Sequence, residues 1–237
     1  MCTVIVHVPA SPSAPTRLIA VRDEDPTRPW NPLGEWWPQH PGVTGVQDIR
    51  AGGAWLAADD ATRRLAVLLN RADTVTLPDD AVVSRGALAL ESVEGRSPGE
   101  RPPMHGFNLL EVTPGSTRIV SWNGEERRET AVGPGTHMIA HDDIDDPATA
   151  RISHWLEQFR LVDPGDGDDW YLPWLTVLER SADLAPTDDR AIIRDNTVHG
   201  YPTLSLLVCV ASVGPDGVDV RYAGLPQPGV WAPLDLH

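Results

Sequence analysis

The amino-acid sequence predicts an α+β protein dominated by antiparallel sheets. Three observations carry that expectation. Short runs of β-branched and aliphatic residues, bounded by Pro, Gly and Asp turns, fill both ends of the chain. Helical spacing of apolar residues is confined to the middle and late part. Strand and helix patterns do not alternate, so the parallel sheet of a βαβ protein is not expected.

Taken in order, Cys2–Val8 is an apolar run closed by Pro9, and Arg17–Arg22 is a second, with the turn Ser11–Pro15 between them. Together they read as strand–turn–strand. Asp23–Pro41 holds Pro26, Pro29, Pro32, Pro38 and Pro41 with Trp30, Trp36 and Trp37. That proline density excludes a helix interior or a central strand, and the segment reads as an ordered aromatic loop or lid. Gly52–Ala57 and Leu65–Asn70 form a hairpin across the polar turn Ala58–Arg64. Ser84–Leu90 starts a short helix, and Glu91–Pro103 is a loop rich in Gly, Pro and charge. Phe107–Val112, Thr117–Trp122 and Glu129–Val132 make a meander, with turns at Pro114-Gly115 and Asn123-Gly124. Asp145-Asp146-Pro147 caps a helix over Pro147–Leu161, whose Ile152, Trp155, Leu156 and Phe159 share one face. Tyr171–Ser181 is a second helix, and Leu204–Val213 and Val218–Tyr222 close the chain as a hairpin.

Length and charge narrow the function classes. A chain of 237 residues is expected to form one domain over 1–237. Asp and Glu number 34 against 19 Lys and Arg, giving a net charge of −15. A field of that sign argues against nonspecific nucleic-acid binding and against an anionic membrane face. No apolar run approaches the ~18 residues of a membrane span, and no basic segment precedes an apolar one, so neither a span nor a signal peptide is expected. Two cysteines make no disulfide framework, and a cytoplasmic location is the default. Abundant Arg, Ala, Pro, Gly and Asp without any Lys suggest a GC-rich bacterial genome. No glycine-rich phosphate loop follows a strand, so no dinucleotide or Walker-type site is expected. The expected partner is a small-molecule ligand or substrate; the sequence does not speak to oligomeric state.

Cys2 follows the initiator methionine directly. Aminopeptidases remove Met before a residue this small, which would give a chain beginning with Cys2. Its α-amine, with an ordinary pKa of about 7.7–8.0, then stands beside its own thiol as a base. The alternative is a small core residue at the start of a strand. His137 and His141 are four apart and precede Asp142, Asp143, Asp145 and Asp146. On a helix they would suit a metal, but the flanking Gly and Pro favour a loop feeding the next helix, and no metal is expected. Asp163–Asp169 imitates the start of a calcium loop but has Trp174 where the twelfth-position Glu belongs, and reads as a solvated turn. Trp30, Trp36 and Trp37 either wall a pocket for an apolar ligand or anchor a long loop on the sheet edges.

A set of ordered stretches points further. Val21-Arg22-Asp23-Glu24 resembles the Asn-Arg-Asp-Glu signature of the NRDE family, also called the transport and Golgi organisation protein two family. Gly52-Gly53-Ala54-Trp55-Leu56 is similar to its Gly-Gly-Thr-Trp-Leu-Gly stretch, and Leu65–Arg71, ending Leu69-Asn70-Arg71, to its A-L-T-N-x-R strand. Ser84-Arg85-Gly86 with Leu88, and Phe107-Asn108-Leu109-Leu110, resemble two more of its motifs. Gly135–His141 and Tyr201–Ser205 match more loosely. Val21, Ala57, Asp25-Pro26 and His141 depart from the pattern.

The resemblance implies an N-terminal-nucleophile-hydrolase-like αββα sandwich, two antiparallel sheets between helix layers. Bile-salt hydrolases and penicillin V acylases of that superfamily also begin Met-Cys and cleave amide bonds. By that analogy Cys2 is the nucleophile, Arg22 the cation beside its sulfur, and Asp23 (or Asp25) the carboxylate that orients the amine. Asn70, or second Asn108, would donate to the oxyanion or contact substrate. The expected activity is hydrolysis of a small amide without a cofactor. The alternative is a non-catalytic carrier of haem or a lipid-like ligand on the same fold, or an accessory protein of a biosynthetic cluster.

Overall fold

The computed structural model describes residues 2–76 and 82–237; Met1, whose removal is expected, lies outside them. The strands are β1 (Thr3–Val8), β2 (Thr16–Glu24), β3 (Trp30–Gly34), β4 (Val43–Asp48), β5 (Ala54–Asp59), β6 (Arg64–Asn70), β7 (Phe107–Thr113), β8 (Ser116–Trp122), β9 (Arg127–Ala131), β10 (Gly135–Ile139), β11 (Leu204–Gly214) and β12 (Gly217–Gly224). The helices are α1 (Ala87–Val93), α2 (Ala150–Arg160) and α3 (Leu172–Ser181). One antiparallel sheet has the order β10-β1-β2-β11-β12, and the other runs β3 to β9 in sequence order. Among the described residues no helix is long and apolar enough to cross a membrane.

Side-chain alternation builds the layers. On β1, Val4 and Val6 face the second sheet while Ile5 faces α2 and α3; on β2, Leu18 and Ala20 face inward while Ile19 and Val21 face the helices. Both faces are therefore covered, which is why these strands read as continuous apolar runs. Between the sheets they meet Leu56, Leu65, Val67, Leu110 and Val112. Outside the first sheet lie Trp155, Phe159, Trp174 and Leu178. Outside the second, Leu88, Leu90 and Val93 of α1 cover Ala57, Ala66, Phe107 and Leu109. Each aliphatic side chain fully buried in these cores contributes roughly 1.5–3 kcal/mol. The result is the expected α+β sandwich of two antiparallel sheets between helices.

Three expectations need correction. The proline-rich segment is not wholly a loop or lid: Trp30–Gly34 forms β3, with Pro32 tolerated because β3 is an edge strand. Val43–Asp48 and Gly135–Ile139 are strands that the pattern did not announce. The helix expected from Pro147 starts at Ala150, because the Asp145 carboxylate accepts from the Met138 amide (2.8 Å) and pairs with His137 (2.7 Å) and Arg160 (3.0 Å). His137 therefore sits on β10, His141 pairs with Asp142 at 3.0 Å, and no metal-binding group of three His, Cys, Asp or Glu occurs among the described residues.

Candidate active site

The β1–β2 hairpin brings the start of one strand to the end of the next. Thr3 pairs with Val21, so Cys2 comes beside Arg22 and Asp23 at one end of the first sheet. Alternation turns Cys2 and Arg22 toward the second sheet and Val21 toward the helices, so the change from the Asn of the resembled signature falls on the face away from the thiol. There a cleft of about 440 Å³ opens, and its wall includes Cys2, Arg22, Asp23, Asp48, Trp55 and Asn70.

Cys2 is 7% exposed, and its Sγ lies 3.7 Å from the Asp23 carbonyl oxygen, to which the thiol donates. Burial pushes the thiol pKa up, and the Arg22 guanidinium opposes this with a smaller effect. Arg22 is itself only 2% exposed; its Nη2 lies 3.6 Å from Glu24 and 3.7 Å from Asp48. Arg28 closes the same network with a 2.6 Å bond to Asp48. The Arg22 Nη1 and Trp55 Nε1 donors are buried without an acceptor among the described residues. Two orphaned donors on cleft-lining side chains are what a ligand carbonyl or carboxylate would satisfy.

Asp23 is held from the other side of the strand. Its carboxylate accepts from Ser205 Oγ at 2.6 Å and from Asn196 Nδ2 at 3.3 Å, and Ser205 stands directly opposite it in the β2–β11 register. Asp25 instead accepts from the Thr27 amide and hydroxyl at 2.8 Å in a local turn, outside the cleft lining. Of the two carboxylates left open by the sequence, Asp23 is the one at the cleft.

The glycine motifs build the rim. Gly53 lies against Gly86, and a Cβ on Gly53 would stand 2.1 Å from the Gly86 carbonyl oxygen, which accepts from the Ala54 amide at 2.9 Å. Only backbone fits between these two segments. Arg85 anchors the rim through a 2.5 Å bond to the Gly106 carbonyl oxygen, and burial lowers its pKa. Asn70, exposed at the end of β6, makes no side-chain hydrogen bond among the described residues.

Four expected substrate contacts lie elsewhere. Trp30 packs edge-to-face on Tyr222 at 5.9 Å, Trp36 donates to the Pro32 carbonyl oxygen at 2.7 Å, and Trp37 is buried with its Nε1 donating to the Gly52 carbonyl oxygen at 2.9 Å. None lines the cleft: Trp30 ties β3 to β12 of the first sheet, while Trp36 and Trp37 fasten the segment to β3 and to the turn after β4, the anchoring use open to them. Asn108 is 1% exposed and bridges the Ser121 hydroxyl (2.7 Å) to the Asp142 carbonyl oxygen (2.8 Å), so it too is structural. Its side chain spends its hydrogen-bonding capacity on tying β7 and β8 to the loop after β10. Sequence reasoning missed Asp48, Trp55, Asn196 and Ser205. Trp55 and Ser205 lay within stretches noted for their resemblance; nothing marked Asp48 or Asn196.

Residues 1–162 match the family described as Transport and Golgi organisation 2. No curated protein matches the sequence.

Proposed function

The chain belongs to the Transport and Golgi organisation 2 family, and from that premise we propose that the cleft hydrolyses the amide bond of a small polar substrate, with Cys2 as an N-terminal nucleophile. A thiol in the wall of an ionic cleft, beside a buried guanidinium, carries the reading.

Because burial raises its pKa, the thiol rests protonated and needs a base within reach. Once Met1 is removed, the Cys2 α-amine is that base. It takes the thiol proton as Sγ bonds to the carbonyl carbon, and the carbonyl electron pair moves to oxygen. Arg22 Nη1, Trp55 Nε1 and the Asn70 amide are the donors available to that oxyanion, each contributing about 2.7–4 kcal/mol when well aimed. The ammonium then protonates the leaving nitrogen as the carbon–nitrogen bond breaks. A water, losing its proton to the amine, attacks the thioester and releases the acid and the thiol. Asp23, fixed by Ser205 and Asn196, holds the strand end and its amine in register. The ionic side chains Arg22, Asp23, Glu24, Arg28, Asp48 and Arg85 suit a polar substrate. A haem or lipid-like ligand does not suit them, since the three tryptophans that would have walled an apolar pocket pack elsewhere.

The test joins intact mass to turnover. Protein lacking the initiator methionine should hydrolyse members of a panel of small polar N-acyl amides, and Cys2→Ala should fall to background. Turnover that survives Cys2→Ala, or that is carried by chains retaining Met1, would overturn the mechanism.

A further inference from the structure

Among the described residues the Cys2 cleft has one imidazole on its wall, His105, which the amide chemistry leaves unused. His105 lies on the segment before β7, and Asp73 on the segment after β6. Asn70 pairs with Phe107 across those two strands, so Asn70, Asp73 and His105 gather at the end of the sandwich that holds Cys2.

The imidazole is held on one edge only. Asp73 Oδ2 lies 2.6 Å from His105 Nδ1, and Asp73 Oδ1 accepts from the Gly106 amide at 2.6 Å. A carboxylate only accepts, so the shared hydrogen belongs to Nδ1. Both neighbours of His105 are anchored. The Met104 carbonyl oxygen accepts from Trp122 Nε1 at 2.9 Å, and the Gly106 carbonyl oxygen accepts from the Arg71 amide at 3.1 Å and from Arg85 Nη1 at 2.5 Å. A Cβ on Gly106 would stand 2.6 Å from the Arg71 carbonyl oxygen, so this approach of two main-chain segments needs glycine. Arg85 is itself a wall residue and ties the pair to the cleft. The His105 side chain is 40% exposed, and its Nε2 makes no hydrogen bond among the described residues. With Nδ1 turned to Asp73, the opposite edge of the ring, which carries Nε2, is the edge left for the cleft.

The other charged groups of the wall are the guanidiniums of Arg22, Arg28 and Arg85 and the carboxylates of Asp23, Glu24 and Asp48, carried by β2, the turn after it, the end of β4 and the segment before α1. Imidazole is the side-chain type that changes charge in the physiological range, and its free nitrogen changes from acceptor to donor as it does so. We propose that His105, oriented by Asp73, is a specificity-determining residue of the cleft: neutral, its Nε2 accepts from an N–H or hydroxyl of an uncharged substrate, and protonated, it donates to a substrate carboxylate. This deepens the hydrolase reading and rests on the cleft being the substrate site.

Alkylation of Cys2 in the native full chain by iodoacetate and, separately, by iodoacetamide tests it, with peptide mass as the readout. The reagents differ by a carboxylate against an amide, and the ratio of their rates cancels the thiolate fraction. Labelling needs no turnover, so the result stands whether or not an amide is hydrolysed there. The iodoacetate-to-iodoacetamide ratio should rise at least about threefold from about pH 8.5 to about pH 5.5, the size of one partly exposed charge pair. The α-amine titrates in the upper part of that range, so the share of His105 is the part that His105→Gln removes, which should be most of the rise. Asp73→Asn should keep the rise but move it at least about 0.5 pH unit lower, because the imidazolium loses its counter-charge. A ratio indifferent to pH, a rise left intact by His105→Gln, or one that Asp73→Asn does not move would each overturn the assignment.

Discussion

Cys2 and Cys209 occupy the same core between the two sheets, and they meet water in opposite ways. Cys209 is 0% exposed in the middle of β11, paired across to Ala20 and Tyr222. Cys2 is 7% exposed in a cleft wall. Burial raises the pKa of both thiols, and the Arg22 guanidinium pulls both back down by less. Desolvation alone therefore does not tell the two sulfurs apart; the opening at the end of the sandwich does.

Arg22 is the charge common to both sulfurs, and its removal is the largest expected perturbation. Arg22→Met should cost about 3 kcal/mol in denaturant unfolding, the low end for a broken buried ion pair, because Arg28 still faces Asp48. A loss under about 1 kcal/mol would mean that the ionic network does not brace the cleft end. Next, iodoacetamide should label Cys2 at least about 100-fold faster than Cys209 in the native protein, the latter waiting on opening of the sheet. Equal rates, read by peptide mass, would erase the contrast.

Alkaline stability sharpens the comparison further. A thiol whose folded pKa is raised stays neutral in the native state while the unfolded chain ionises from about pH 8.5, so its stabilising effect is complete below that pH and is lost as pH rises toward the folded value. Stability should fall by about 1.4 kcal/mol per pH unit on account of Cys209 between roughly pH 9 and 10. Cys209→Ala should flatten that limb by one thiol's share, and an unchanged slope would contradict its burial. The smallest effect on folding belongs to the rim: Asn70→Ala should shift stability by less than about 0.5 kcal/mol. If Asn70 donates to the oxyanion, the same change should lower turnover roughly 10²–10³-fold.

The sheet hairpins were legible because strands covered on both faces leave uninterrupted apolar runs, as in Leu18–Val21 and Leu206–Ala211. What escaped was governed by tertiary contacts. β3 hides among prolines that an edge strand accepts, and β4 carries Gly45, where a Cβ would stand 2.3 Å from the Leu56 carbonyl oxygen. The start of α2 was misjudged because Asp145 serves β10 and Arg160 rather than a helix cap. At the cleft, Cys2, Arg22, Asp23 and Asn70 were legible from strand ends close in sequence to a hairpin. Ser205 was not, since only the β2–β11 register carries it to Asp23, nor was Asn196, brought to Asp23 by the segment that precedes β11; both lie more than 170 residues away. The tryptophans misled because indole chemistry is equally suited to a ligand wall and to pinning a chain onto a sheet.

The contact between Gly53 and Gly86 has a practical reach. One flank of the opening is fixed by main chain pressed on main chain, so Gly53 admits no larger residue. Mutagenesis libraries aimed at the cleft should hold the Gly53 codon constant and randomise Leu68 and Val83 along the same border instead. Diversity introduced at Gly53 would go into misfolded clones.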